Sequence, residues 1–426
     1  MKKLLFCLSC LVLFTSTLAF SQQNAVDFYN QGWDALSQGH LDDAISLFTR
    51  ALKLDPQDHL SYNNRGVAYK RKGLLDKAIE DYNRALEIKP DYNDALANRG
   101  NARYKKGDLD GALSDLTAAL KHGKRDSVIH TTLGLVLKKK GELDQAVKQL
   151  RQGVSLNKKN VRAYRGLGEI YEQKKDYEKS LEAYIKAVDA AGGRESLPDV
   201  EKRITNIRRI YAEELHKDGL QEYREGKEKQ AINLWTKALK VFPGYVPALR
   251  DRGLTYHKDG KHQKAVEDFN AALEKDPSSA EIYRVRADAY YKMKQGDKAL
   301  ADYNKALELN PKDAVAYNNR GLVYHEQGEF DKALADYSKA ISLDPKNPTF
   351  YENRALIYAA KGLAPKAAED YRHAVELTTD EKHRAALTDK ISVLAGTNNE
   401  GSTSGSSEIP ELQNGVSARS ENPGKQ

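Results

Sequence analysis

Cysteine is almost missing from this sequence. The 426 residues contain two, Cys7 and Cys10, both within the first ten positions. From residue 11 onward no disulfide can brace the chain, and no thiol can serve as nucleophile or metal ligand. Packing alone has to hold the fold. Proline and glycine are sparse, at 12 and 29 residues, and recur at fixed intervals where they punctuate the chain. Past residues 4–18, no apolar run approaches the roughly 20 residues that cross a bilayer. No glycine-rich phosphate loop and no nucleophile elbow occurs, and His325-Glu326 lacks a second histidine four residues after the first. The sequence therefore presents no catalytic residue, no cofactor-binding residue and no metal-ligand set, and reads as a non-enzyme without cofactors.

The N-terminus has the layout of an export signal over residues 1–21. Lys2 and Lys3 precede a largely apolar stretch from Leu4 to Leu18, and Ala19-Phe20-Ser21 places small residues where a signal peptidase needs them. An uncleaved anchor is the alternative. A lipid-modified Cys10 is disfavoured because Cys7 stands where lipoprotein signals carry an aliphatic residue. The expected location is the periplasm or cell envelope, with membrane contact only through the leader if it stays attached.

What the chain does have is a period. Residues 314–347 superimpose on residues 280–313 when slid by 34, with tyrosine, alanine and proline at the same offsets. Ten copies follow: 25–58, 59–92, 93–126, 127–160 and 161–194, then 212–245, 246–279, 280–313, 314–347 and 348–381. Offset 8 is glycine or alanine throughout, from Gly32 and Gly66 to Gly321 and Ala355. Offset 20 is alanine except for Ser180. Small residues at both places let two helices approach closely, so the two offsets belong to different helices of a pair.

With aromatics at offset 4 (Tyr62, Tyr164, Tyr283), offset 11 (Tyr69, Tyr171, Tyr256) and offset 24 (Phe48, Tyr82, Trp235), and proline at offset 32 (Pro56, Pro90, Pro311), the units resemble tetratricopeptide repeats (TPR). The resemblance covers about residues 25–381. It implies an all-α fold, an α-solenoid of about ten helix-turn-helix units stacked in a right-handed superhelix. The first helix of each pair would line the concave face. The copies form two five-repeat blocks, 22–194 and 212–381. Between them, over 195–211, Pro198 starts a helix whose apolar face is marked by Val200, Ile204, Ile207, Tyr211 and Leu215, so one extra helix should join the blocks. A capping helix is expected over 382–394, and a disordered tail rich in Gly, Ser, Asn and Glu over 395–426.

Two regularities go beyond the family pattern. Offset 7 is arginine in six copies, and in those same copies offset 23 is aspartate. The pairs are Arg65 and Asp81, Arg99 and Asp115, Arg252 and Asp268, Arg286 and Asp302, Arg320 and Asp336, Arg354 and Asp370. Elsewhere neither residue is present, which predicts a salt bridge between the two helices of one copy, with a fork geometry possible. Offset 6 is asparagine at Asn30, Asn64, Asn98, Asn319 and Asn353. By the family geometry offsets 2, 5, 6, 9, 12 and 13 face inward, and a row of amides there can hydrogen-bond an extended peptide backbone.

Charge supplies the last clue. The net charge of +7 is local, since residues 121–165 hold twelve Lys or Arg against Asp126, Glu142 and Asp144. Lys138, Lys139, Arg162 and Arg165 occupy inward offsets there, a candidate anion site. Arg71, Lys105, Arg224, Lys258 and Lys292 extend a row at offset 13. The expected function is a non-catalytic scaffold of the cell envelope that binds extended protein segments on its concave face. Two alternatives stand beside it: a receptor for anionic envelope polysaccharide or lipid headgroups, and a structural assembly subunit that uses its edges and ends. Nucleic acid is not an expected partner of an exported protein.

Overall fold

The computed structural model describes residues 24–397, apart from 122, 124 and 125. The expected leader over 1–21 lies outside the described residues, as does the tail from residue 398 on. The described residues are all-helical and contain no strand. The helices are α1 (24–38), α2 (Leu41–Leu54), α3 (His59–Arg71), α4 (Leu75–Ile88), α5 (Asn93–Lys106), α6 (Leu109–Lys121), α7 (Ser127–Lys139), α8 (Leu143–Leu156), α9 (Val161–Gln173) and α10 (Tyr177–Ala190). After them come α11 (Pro198–Arg224), α12 (Glu228–Val241), α13 (Val246–Lys258), α14 (His262–Lys275), α15 (Ala280–Lys292) and α16 (Gly296–Leu309). The chain ends in α17 (Ala314–Glu326), α18 (Phe330–Leu343), α19 (Pro348–Ala360), α20 (Ala364–Leu377) and α21 (Glu381–Thr397).

A typical copy is thus one helix over about offsets 1–13 and a second over about offsets 17–30, and in copy 6 the end of α11 serves as the first. Where offset 34 is Asp, Asn or Ser, it caps the next first helix with a side-chain acceptor, whereas Tyr92 and Tyr245 make no such bond. Asp58 accepts from the Leu60 and Ser61 amides, Asp313 from Ala316 and Asn347 from Thr349. Offset 15 turns the chain between the helices in the left-handed region, where glycine carries no Cβ penalty. Eight copies have glycine there, and the other two hold Lys175 and Lys294 at φ 57° and 59°.

The chain divides into two compact units, one up to Arg208 and one from Arg209, and the division falls inside the 27-residue helix α11. Val200, Ile204 and Ile207 are buried along one stripe of its first half. There Arg203 donates from Nε to Glu172 Oε2 at 2.8 Å and lies over the Tyr184 ring. The capping helix α21 runs to Thr397, three residues past its expected end. It lays Leu387, Ile391 and Leu394 against Ala355, Tyr371 and Ala374.

Inside a pair, the large side chain at offset 24 packs on the glycine or alanine at offset 8. A Cβ added to Gly66 would come within 2.7 Å of Tyr82 Cε1, and Tyr82 is fully buried. Between pairs, successive first helices touch: α3 with α5, α5 with α7 and α7 with α9 in the first unit, α13 with α15, α15 with α17 and α17 with α19 in the second. Among the described residues no successive second helices pack to that extent. Stacked layers that are closer along one edge curve toward it, so first helices line the inner side of each unit.

The six arginines at offset 7 make two-point forks with the aspartates of their own copies. Arg65 donates from Nε and Nη2 to the Asp81 carboxylate at 2.9 and 2.7 Å. The pairs run 2.9 and 2.7 Å for Arg99 and Asp115, and 2.9 and 2.6 Å for Arg252 and Asp268. They are 2.7 and 2.8 Å for Arg286 and Asp302, 2.8 and 2.7 Å for Arg320 and Asp336, and 2.8 and 2.8 Å for Arg354 and Asp370.

Each arginine also makes a third bond that the sequence reading did not anticipate. Its Nη1 donates to an oxygen at offset 25 of the preceding copy: Thr49, Asn83, Thr236, Asn270, Asn304 or Ser338, at 2.7–3.1 Å. The side chain therefore joins copies as well as helices. Burial pushes the Asp81 and Asp268 carboxyls above their ordinary value against the pull of Arg65 and Arg252, so desolvation offsets much of the attraction.

A lysine at offset 14 reaches an aspartate at offset 18 of the preceding copy at five junctions: Lys72 to Asp42, Lys106 to Asp76, Lys140 to Asp110, Lys174 to Asp144 and Lys361 to Asp331. In all five the aspartate side chain is largely exposed, so solvent screening leaves each pair little net effect on stability.

The two left-handed lysines give a direct test. Lys175→Gly and Lys294→Gly should each raise unfolding free energy by about 0.5–1 kcal/mol in urea denaturation, because they remove a Cβ clash at positive φ. Lys148→Gly, in the exposed interior of α8, should lower it by about 1 kcal/mol.

Candidate peptide-binding groove

Offsets 5 and 6 of the first helices meet across neighbouring copies and form polar rungs. In the first unit the rungs join into one chain of bonds. Lys70 Nζ donates to Asn98 Oδ1 at 2.8 Å and Asn98 Nδ2 to Asn63 Oδ1 at 3.1 Å. Asn63 Nδ2 then donates to Asn64 Oδ1 at 3.1 Å, and Asn64 Nδ2 to the Tyr29 hydroxyl at 3.1 Å. All four bonds run in the same direction, so each polarises the next.

The second unit repeats the device with other residues. Asn353 Nδ2 donates to Asn318 Oδ1 at 2.8 Å, Asn318 Nδ2 to Asn319 Oδ1 at 3.0 Å, and Asn319 Nδ2 to Asp288 Oδ1 at 2.9 Å. Further along its inner face, His216 Nε2 meets the fully buried Asp251 carboxylate at 2.8 Å.

The five asparagines of the expected row have different surroundings. Asn64 and Asn353 are buried, Asn98 and Asn319 are half-buried, and all four bond across copies, while Asn30 is exposed. The amides fasten neighbouring first helices together and keep further N–H and C=O capacity. Tyr29, Asn63 and Asn318, the other halves of the rungs, were not singled out from the sequence. The signal was there, in the Asn-Asn pairs at offsets 5 and 6 of two copies.

The first-unit rungs form the floor of a groove across α1, α3 and α5 that encloses about 500 Å³. Its walls are Tyr29, Trp33 and Leu36 from α1, Val67 and Arg71 from α3, and Tyr92 and Asp94 at the start of α5. Trp33 is 52% exposed, whereas the chain's other tryptophan, Trp235, is fully buried in the second unit. An indole left open beside amides on an inner helix face suits contact with another chain.

The candidate anion cluster comes apart. Lys138 pairs with Glu169, and Arg165 donates to Asp199 at 2.7 Å, so two of its four cations are already neutralised. Lys139 and Arg162 stay exposed and lie over the same ring, Tyr104, at 5.2 and 5.5 Å from its centroid. In the offset-13 row, Arg71 Nη1 donates to the Leu36 carbonyl at 2.9 Å and Lys258 pairs with Glu228 at 2.6 Å. Among the described residues, no group of three or more His, Cys, Asp or Glu is placed to hold a metal ion.

Two family models match this architecture. One, described as TPR repeat, matches residues 253–294, 287–328 and 321–362, and the other, described as tetratricopeptide repeat, matches 29–93 and 131–195. Together they span just over half of the chain, which belongs to the tetratricopeptide repeat family. Proteins of this fold are generally non-catalytic scaffolds for protein or peptide partners.

Similar solved structures include MamA, at 32% identity over 39% of this chain and 96% of that one, with a TM-score of 0.36. The thermophilic protein TTC0263 from Thermus thermophilus is 26% identical over 43% of this chain and 98% of that one, TM-score 0.36. Yeast Tom70 is 23% identical over 83% of this chain and 76% of that one, TM-score 0.34. No curated protein sequence matches the chain.

Lys70, at the end of the rung chain, yields a pH prediction. Burial, reinforced by the positive charges of Lys105 and Arg71, pushes its ammonium down to about 8. Between that value and the ordinary lysine value the unfolded chain binds the extra proton, so stability rises with pH across that range. Wild type should gain stability from pH 8 to pH 9.5 relative to Lys70→Met in urea titrations.

Proposed function

We propose that the protein is a non-catalytic scaffold that binds extended segments of partner proteins along its first helices, with the groove over copies 1–3 as the principal seat. The observation that carries this reading is the open indole of Trp33 above the amide floor of Asn63, Asn64 and Asn98. A large aromatic supplies apolar contact area at low entropic cost, and amides with unused N–H and C=O capacity can meet a peptide backbone. The leader-like N-terminus supports a setting in the cell envelope. Among the described residues no helix is long and apolar enough to cross a membrane. A second reading, an anionic envelope component, is supported by Lys139 and Arg162 on Tyr104.

Site-directed photocrosslinking tests the first reading. A photoreactive residue at Val67, in the groove, should yield discrete crosslinked partner peptides by mass spectrometry, and one at Lys53, on outer helix α2, should not. Equal yields from both positions would contradict it. For the second reading, Lys139→Glu with Arg162→Glu should abolish cosedimentation with anionic vesicles or polysaccharide.

A further inference from the structure

Offsets 12 and 17 meet across the turn inside a copy, one near the end of the first helix and one at the start of the second. In copy 1 they are Leu36 and Leu41, and in copy 3 Tyr104 and Leu109, each pair within one apolar cluster. In copy 9 they are His325 and Phe330, with ring centroids 5.9 Å apart. Copy 7 alone carries histidine at both places, His257 and His262. The pair lies in the last turn of α13 and at the first residue of α14. Its Nδ1 atoms are 3.1 Å apart, and the rings are tilted by 53°.

Two imidazole nitrogens this close share either a proton or a metal ion. With metal–nitrogen bonds of about 2.0–2.1 Å, nitrogens at that separation subtend roughly 100° at the metal, between the right angle of a tetragonal shell and the tetrahedral angle. The turn fixes both ligands. Gly260 sits at φ 73°, its amide donates to the His257 carbonyl at 3.1 Å, and the Lys261 amide donates to the Tyr256 carbonyl at 2.8 Å. Burial above all pushes both imidazoles below the ordinary histidine value. Lys292 adds to the effect, and Asp288 opposes it at His257. Both rings are therefore uncharged at neutral pH, the form that binds metal. The neighbouring Lys258 and Lys261 are offset by Glu228 at 2.6 Å and Asp259 at 2.5 Å.

We propose that His257 and His262 form a two-imidazole site for a divalent transition-metal ion of the zinc and copper class, held by both Nδ1 atoms with its other positions open. Coordination through Nδ1 leaves the ring proton of each imidazole on Nε2, and water or a donor from outside the chain fills the open positions. Asp288 supplies no third ligand, since Tyr303 and Asn319 already donate to it. Two protein ligands fall short of a closed structural site, so the ion binds reversibly and the fold does not depend on it. A separation of five residues across a turn matches no helical ligand pair, which is why the sequence shows no metal motif here.

The test uses the full chain labelled with 15N-histidine, with zinc ion as the probe at pH 7.5. Ring signals are read in place of total uptake because Cys7 and Cys10 can also take zinc. The signals of His257 and His262, identified by their loss in His257→Leu and His262→Leu, should follow one binding curve, with the change at Nδ1 in both. His325, which has no second imidazole at offset 17, should not follow it. His262→Leu should weaken the response of His257 by about tenfold or more, since one imidazole forms no chelate. The double variant His257→Leu with His262→Leu restores the leucine pair of copy 1. It should unfold at an unchanged or higher urea concentration, and it should lose the zinc-dependent rise in urea midpoint that wild type shows.

Separate binding curves for the two rings, coordination at Nε2, or a His257 response that survives His262→Leu unchanged would each overturn the proposal. So would the absence of any ring shift in millimolar zinc. Copper(II) should broaden the same two ring signals at lower concentration than zinc shifts them, in the usual order of divalent affinities. Broadening that begins at other histidines would count against the site.

Discussion

In copies 1–3 and 6–10 the geometry of the helix pairs depends on one guanidinium per junction. The arginine at offset 7 aims Nε and Nη2 at the aspartate 16 residues ahead, in its own copy, and Nη1 at an oxygen 16 residues behind, in the copy before. A planar fork fixes direction as well as distance, so the three bonds set the tilt of the first helix against both neighbours. Lysine could hold one of these partners but not all three. Desolvation leaves the net energy of such a buried group small, but loss of one partner strands a buried charge at a cost of about 3–5 kcal/mol. The arrangement specifies geometry more than it adds stability.

The pattern of these arginines is uneven, and the unevenness bears on function. They join copies 1–3 and, separately, copies 6–10. Offset 7 of copies 4, 5 and 6 is Leu133, Leu167 and Asp218, and offset 25 of the copies before them is Thr117, Arg151 and Ile185. At copies 4 and 5 apolar packing takes over, with Ile129, Leu133, Leu150, Leu167 and Ile170 all buried in one cluster. The Trp33 groove lies on copies 1–3, where the guanidinium bonds tie each first helix to the second helices on either side and the asparagine rungs tie successive first helices to one another. Binding energy there need not be used to order the helices, which is the advantage of a preorganised surface.

How much of this was legible in the sequence depended on where the partner residues lie. The helix pairs, the close approach at Gly66 and the arginine–aspartate correspondence all show up when copies are aligned offset by offset. Contacts between different offsets of adjacent copies do not. The bond from Arg65 to Thr49, the rung from Asn63 to Asn98 at a separation of 35, and the lysine–aspartate pairs at a separation of 30 all cross that line. Counting cations within a window misled for the same reason. Glu169 and Asp199, which neutralise Lys138 and Arg165, lie 31 and 34 residues further on, one repeat away. Trp33 was missed because a single tryptophan in a single copy leaves no periodic trace.

The claim that the guanidinium couples neighbouring copies is tested most directly by a double-mutant cycle between Arg320 and Asn304, which belong to adjacent copies. Arg320→Lys, Asn304→Ala and the double variant would be compared with wild type by urea denaturation. The account predicts a coupling of about 1 kcal/mol or more across the junction. Additivity within about 0.3 kcal/mol would contradict it, and would reduce the third bond to a contact without energetic weight.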